Sequence, residues 1–318
     1  MSSLPPSAPA ARSWPWRPWR HSDSAVLRSL ARSPTVPAAL AVLAFLLLAA
    51  LFAPWLSLQD PFDPSVLELL DAFTPPGQAG ASGTRVYPLG ADDQGRDVYS
   101  AILYGLRKSL GVGFAAVALS LAIGVPLGLL AGYGGGVFDT LVMRVADVQL
   151  TFPVLLVALL VFGIARGLLP ESLRDDMALY GIVLALGLSE WVPYARTVRA
   201  AVMVEKHKDY VLAAQLIGRS RSGILVLHIL PNLLAPVLVI ATISLALSIV
   251  AESTLSYLGV GLPPTEPSLG TLIRVGQGFL FSGEWWILGF PALVLLALAL
   301  SVNRVGDGLR DALNPRLQ

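Results

Sequence analysis

Six long apolar stretches constrain this chain more than any other feature: Val36–Leu56, Leu110–Gly132, Gln149–Ala165, Met177–Trp191, Leu230–Val250 and Trp285–Val302. A bilayer core of about 30 Å takes roughly 20 mostly apolar residues as a helix, because no water is there to bond a bare backbone. The stretches predict an all-α polytopic membrane protein with six transmembrane helices. Arg28 and Arg32 precede the first stretch, as in a signal peptide. Its run is too long for a signal core, and Pro54-Trp55 is a poor cleavage site, so a retained anchor is expected.

Positive charge orients the spans. With the N-terminus inside, the inner segments carry fifteen of the 22 basic residues. Six of them (Arg196, Arg199, Lys206, Lys208, Arg219 and Arg221) fall in one loop. Both termini are therefore expected in the cytoplasm. The organisation that follows is a disordered cytoplasmic arm over 1–35, a first transmembrane helix over 36–56, an extracytoplasmic segment over 57–108, and a five-helix core over 109–318 with a cytoplasmic loop at 192–229. Trp14, Trp16 and Trp19 of the arm could rest on the inner leaflet. The Pro/Gly/Ser-rich stretch Thr74–Thr84 reads as flexible.

Composition removes other classes. The 22 basic and 21 acidic residues nearly balance, which argues against a nucleic-acid binder working by phosphate neutralisation. With no cysteine and three scattered histidines, neither a disulfide framework nor a zinc site is expected. The lysines are Lys108, Lys206 and Lys208, and none follows a glycine, so no phosphate-cradling loop can be assigned. An ion-gradient transporter would favour internal repeats and buried ionisable relays; an intramembrane enzyme would need a nucleophile–base or metal constellation. Neither pattern is visible.

Within the inner loop, Tyr210, Ala213, Ala214 and Ile217 recur at helical spacing and are expected on one face. Gly218 stands where a left-handed helix stop would sit, and Ser220 or Ser222 could cap a second short helix before Pro231 opens the fifth span. An interfacial amphipathic helix would look much the same. The glycines Gly124, Gly128 and Gly132 suggest close helix crossing.

The run Asp209-Tyr210-Val211-Leu212-Ala213-Ala214-Gln215-Leu216-Ile217-Gly218, with His228-Ile229-Leu230-Pro231-Asn232 beyond it, resembles the EAA loop of ABC importer membrane subunits. Leu212 stands where that family's pattern has glutamate. Pro88–Val98 is similar to the LGTDxxGRDV stretch of permeases of the DppC/OppC type, which handle dipeptides, oligopeptides or nickel, and Asp60–Pro64 resembles the segment after their first span. Arg144–Pro153 matches their R-x-x-D-x-x-x-x-x-P run, Glu252–Gly261 resembles EAALSFLGLG, and Pro267–Gly270 resembles PSWG. Only the N-terminal arm lies outside the likeness.

The resemblance implies a type I ABC importer permease fold in a bacterial inner membrane, forming half of a pathway for di- or oligopeptides. Nickel chelates or another small solute are the alternative cargo. It implies a sister permease, two ATP-binding subunits that hold ATP and Mg, and an extracytoplasmic substrate-binding protein; this chain itself would hold no cofactor or metal and catalyse nothing. The ATPase-coupling residues would be Asp209, Tyr210, Ala213, Ala214, Gly218, His228, Leu230 and Pro231. Asp92, Asp93, Arg96 and Asp97 either order a docking surface for the binding protein or form a turn held by mutual ion pairing, the latter favoured because exposed charge clusters are usually solvated. Glu252, with Ser256 one turn on, either lines the path at an outer gate or holds its helix turn through bonds to nearby backbone.

Overall fold

The computed structural model describes residues 35–313 apart from 84, 176, 264 and 267. The expected arm, save Thr35, lies outside the described residues, as do the last five residues. The first apolar stretch forms α1 (Thr35–Leu51) and a short α2 (Ala53–Leu56), separated at Phe52 just ahead of Pro54. Among the described residues four helices, the shorter α1 not being one of them, are long and apolar enough to cross a membrane: α3 (Val98–Gly134), α6 (Ala178–Ser189) continued by α7 as one span (Ala178–Glu205), α9 (Arg221–Tyr257) and α11 (Trp286–Leu313). The pair α4 (Gly136–Leu150) and α5 (Val154–Leu168) would make a fifth crossing if taken together, but the two axes meet at 100°. Helix α8 (Asp209–Leu216) lies between α7 and α9, and α10 (Leu269–Gln277) between α9 and α11.

Several element boundaries differ from expectation, each for a local reason. Helix α3 starts well before Leu110, so the end of the expected 57–108 segment is helical. Asp97 caps it, accepting bonds from Ser100 N at 2.8 Å and Ser100 Oγ at 2.5 Å. The third stretch is not one helix from Gln149: Pro153 has no N–H to give and disfavours helix at the residue before it, so α4 ends at Leu150 and α5 opens after the proline. The fourth runs past Trp191. After a break at Glu190 it continues as α7 (Trp191–Glu205), inside the expected loop 192–229. The charges that made α7 look like loop are paired: Arg196 with Asp147, and Arg199 with Asp139, both on α4.

The segment over 57–97 is also more ordered than its composition suggests. Strands β1 (Gln78–Ala79) and β2 (Val86–Tyr87) pair antiparallel within it. The fully buried Asp71 closes the hairpin by accepting from Ser82 N (2.7 Å), Ser82 Oγ (2.8 Å) and Tyr87 Oη (2.9 Å). In the core, α3 crosses α7 on the glycine stripe. A Cβ on Gly128 would stand 2.5 Å from Ala195 O, and one on Gly132 2.8 Å from Arg199 O. Nothing larger than glycine lets the two backbones approach this closely.

Candidate functional site

The expected bracket is shorter than 192–229, since α7 takes its first part. It consists of the turn Lys206–Lys208, helix α8, the bend at Ile217–Ser220 and the start of α9. Gly218 has φ +78°, and the two bonds of a Schellman stop form around it: Gly218 N to Gln215 O at 3.0 Å and Arg219 N to Ala214 O at 3.1 Å. Ser220 then accepts from Gly223 N at 3.2 Å. The capped helix is not separate, however. It runs through a π-helical turn at Leu225–Ile229 directly into α9.

The four residues that share a face by spacing are not equally buried on α8. Val211 and Ala214 are buried against Val198, Val202, Ile224, Ile229 and Leu233, with Tyr210 half-buried beside them. Ala213 and Ile217 point away, alongside Leu212 and Leu216. The helix is apolar nearly all round, so periodicity could not choose its inner side. The result is a bare apolar crest in which Leu216 is 88% and Ile217 79% exposed.

Polar bonds hold that crest in place. Tyr210 donates its hydroxyl proton to Glu205 Oε2 (2.5 Å) and accepts from Asn232 Nδ2 (3.2 Å), joining the end of α7 to the start of α9 through α8. Burial first, and the Glu205 carboxylate second, push the Tyr210 hydroxyl well above the ordinary phenol range. Lys206 Nζ donates to Gly132 O at 2.9 Å, and Gln215 Nε2 to the Tyr133 hydroxyl at 3.3 Å, which ties the bracket to the C-terminal end of α3. Asp209 is exposed in the first turn of α8, where a carboxylate complements the helix dipole. His228 and Leu230 are half-buried and Pro231 exposed; the His228 carbonyl accepts from Asn232 at 2.8 Å.

At the opposite end, no ion pair joins Asp92, Asp93, Arg96 and Asp97 among the described residues. The turn is held by amide bonds instead. Asp92 Oδ1 accepts from Gln94 N (2.8 Å) and Arg96 N (2.9 Å), and Arg96 donates to Gln94 Oε1 (2.5 Å). Asp92 is 5% exposed and Asp97 1%, so these carboxylates present little surface to a docking partner. Burial pushes the Asp92 carboxyl up to about 6, against the two backbone donors that pull it down.

Glu252 and Ser256 are both buried. Glu252 accepts from Ser109 (2.8 Å), Ser256 (2.7 Å) and Ser253 (3.3 Å), all side chains rather than backbone. Ser109 Oγ in turn accepts from Leu269 N at 3.2 Å. The group therefore locks the start of α10 into a notch between α3 and α9.

Similarity to known proteins fits this layout. The family described as "Binding-protein-dependent transport system inner membrane component" matches residues 124–318, and the "N-terminal TM domain of oligopeptide transport permease C" matches 24–76. The chain belongs to this family of transport permeases. It is a multi-pass membrane component and not an enzyme. A dipeptide transport system permease protein, DppC, of Haemophilus influenzae is 39% identical over 88% of this chain and 91% of its own length. The di/tripeptide transport system permease DppC of Pseudomonas aeruginosa is 38% identical over 88% of each chain. The oligopeptide transport system permease OppC of Bacillus subtilis is 37% identical over 88% of this chain and 85% of its own. A solved inward-facing MetNI methionine ABC transporter has a chain that is 18% identical, with a TM-score of 0.51, over 67% of this permease and 96% of that chain. That likeness gives the fold, which is that of a type I ABC importer permease.

Sequence reasoning missed three of the residues that organise these sites. Glu205 falls in the expected loop 192–229, Ser109 sits at the first position of the expected core with nothing to mark it, and Asn232 stands in the motif with no role implied for it. The signal for Glu205 was available: it lies five residues before Tyr210, close enough for the phenol to fold back on it.

Proposed function

We propose that this permease forms half of the translocation pathway of an ATP-driven importer of di- or oligopeptides, moved by a separate ATP-binding subunit that docks on the bracket. The observation that carries this reading is the apolar crest of Leu212, Leu216 and Ile217, held out by the Tyr210 clamp. Bare apolar surface on a polar-rimmed element marks a protein interface. The rim here is Lys208, Asp209, Arg219 and Arg221, all exposed.

The coupling residues in this reading are Asp209, Tyr210, Ala213, Ala214, Gly218, His228, Leu230 and Pro231. The chain crosses a bacterial inner membrane six times with both ends in the cytoplasm. A sister permease completes the pathway, two ATP-binding subunits hold ATP and Mg, and an extracytoplasmic binding protein delivers the peptide. Closure of the ATPase pair would move the bracket and the spans behind it as nearly rigid bodies. Peptide cargo rests on the 37–39% identity to dipeptide, di/tripeptide and oligopeptide permeases.

A Gly218→Val variant tests the docking role. Nothing lies within 4 Å of a Cβ at this position, so the substitution acts through the strained φ and the altered bend. Peptide uptake into proteoliposomes holding the complete importer should fall by about tenfold or more, together with crosslinking of the bend to the ATPase subunit. Full uptake by this variant would show that the bracket is not the docking element.

A further inference from the structure

Helices α4 and α5 meet at 100°, and a hollow of about 630 Å³ follows the elbow between them. It runs from Arg144 and Val148 on α4, past Phe152 at the corner, to Leu156 and Leu160 on α5. All five are exposed. Small-molecule sites commonly have volumes of roughly 300–1,000 Å³. The lining is apolar except for two side chains, Arg144 and Gln149. Gln149 is already engaged: its Nε2 donates to Leu188 O at 3.0 Å and to Ser189 O at 2.8 Å, and its Oε1 accepts from Trp191 Nε1 at 2.8 Å. Arg144 is not. The acids of α4, Asp139 and Asp147, are paired with Arg199 and Arg196 of α7, and Arg144 has neither an ion pair nor a hydrogen bond among the described residues.

The charges also set the depth of the elbow. Helix α4 carries Asp139, Arg144 and Asp147, whereas α5 has no charged residue before Arg166. Ionised side chains are costly in hydrocarbon, so α4 suits the headgroup layer and α5 the acyl layer. The hollow therefore turns from one layer into the other, with its one unmatched cation at the polar end. A lipid has the same outline, a charged headgroup followed by an apolar chain. A helix from another protein is a straight rod about 10 Å across and cannot follow a 100° bend, whereas an acyl chain can. Basic residues beside clefts between membrane helices are, moreover, a recurring way of holding anionic headgroups.

We propose that the α4–α5 elbow is a binding site for an anionic phospholipid, whose phosphate pairs with Arg144 and whose acyl chain lies past Phe152 along Leu156 and Leu160. The lipid fills the angle opened at Pro153. The site shares no residue with the bracket, so its failure would leave the docking role of Gly218 and Tyr210 untouched.

The test uses the complete importer, reconstituted in vesicles of phosphatidylcholine and phosphatidylglycerol in equal amounts. One lipid or the other carries brominated chains, which quench a nearby fluorophore. The chain has no cysteine, so a bimane label on Leu160→Cys is its only label. Leu296→Cys on α11, also exposed and outside the hollow, is the control. Quenching at Leu160 should favour phosphatidylglycerol by about fivefold, the gain that one basic residue gives near an anionic surface, while Leu296 responds alike to both lipids. Arg144→Gln should remove the preference at Leu160, and Arg144→Lys, which keeps the charge, should retain most of it. A preference that survives Arg144→Gln, or that Leu296 shows equally, would overturn the proposal. Equal quenching by both lipids at Leu160 would reveal an unselective lipid face, and quenching by neither would mean that a protein partner fills the groove; either result overturns it too. If Arg144→Gln does not assemble, the comparison of Leu160 with Leu296 in the chain with Arg144 intact decides alone.

Discussion

The notch around Glu252 and the bracket around Tyr210 are built from the same kind of bond and end in opposite states. In the notch, a buried carboxylate receives three hydroxyl donors, and the start of α10 closes over it. In the bracket, a half-buried tyrosine ties two helix ends together, and the helix it carries leaves its apolar crest uncovered. One polar centre finishes a fold, whereas the other presents a surface. The difference lies in what covers the apolar atoms beside each centre, since both sets of polar atoms are satisfied.

The sharpest way to break this contrast is Glu252→Ala. It strips three buried hydroxyls of their acceptor, and each orphaned group costs about 1–3 kcal/mol. The detergent-solubilised permease should lose much of its thermal stability, while Glu252→Gln, which keeps an acceptor oxygen, loses less. A small effect of the alanine variant would mean that water replaces the carboxylate and that the notch is open.

Asp92→Asn probes the turn ahead of α3 by pH. The folded carboxyl lies at about 6 against an ordinary 3.8, so the folded state takes up its proton more readily than the unfolded one. Stability therefore rises as pH falls through 6 and levels off below 3.8, and the full penalty, roughly 3 kcal/mol at most, is present above 6. Asparagine keeps an oxygen for the Gln94 and Arg96 amides and carries no charge. The variant should melt higher than the parent at pH 7.5, with the gap closing by pH 4. A gap that does not depend on pH would show that Asp92 is not held against its charge.

Tyr210→Phe sharpens the other side. Losing two hydrogen bonds costs about 1–2 kcal/mol, and the carboxylate of Glu205 keeps its Lys208 partner at 2.6 Å. Stability should fall slightly, and peptide uptake by a larger factor, because the crest is no longer held in register. Leu216→Asp is the smallest change for the fold, within about 0.5 kcal/mol at so exposed a site, yet it should nearly abolish ATPase crosslinking. Equal loss of melting temperature in these two variants would erase the distinction between holding the crest and being part of it.

The main lines of the fold were legible because a bilayer leaves the backbone few choices. The apolar runs located α1, α3, α6, α9 and α11, and Gly218 and Ser220 marked the bend that the bracket makes. What escaped depended on partners distant in sequence. Arg196 and Arg199 looked like loop charges until Asp147 and Asp139 came alongside. The Gly/Pro-rich stretch Thr74–Thr84 looked flexible until Asp71 accepted two bonds from Ser82 within it and a third from Tyr87 just beyond. Phe152-Pro153 sat inside an apolar run that hydropathy alone would carry through, though proline chemistry does not. The inner side of α8 was undecidable from its own residues, because both faces are apolar and only packing against Ile224 and Leu233 selects one.

The stripe of Gly124, Gly128 and Gly132 has a mechanical corollary. With no side chains between them, the α-hydrogens of α3 meet the carbonyls of Trp191, Ala195 and Arg199, adding weak Cα–H···O attractions that a lipid neighbour could not supply. Pulled from a membrane one helix at a time, α3 and α7 would resist as a couple and give way in a single rupture.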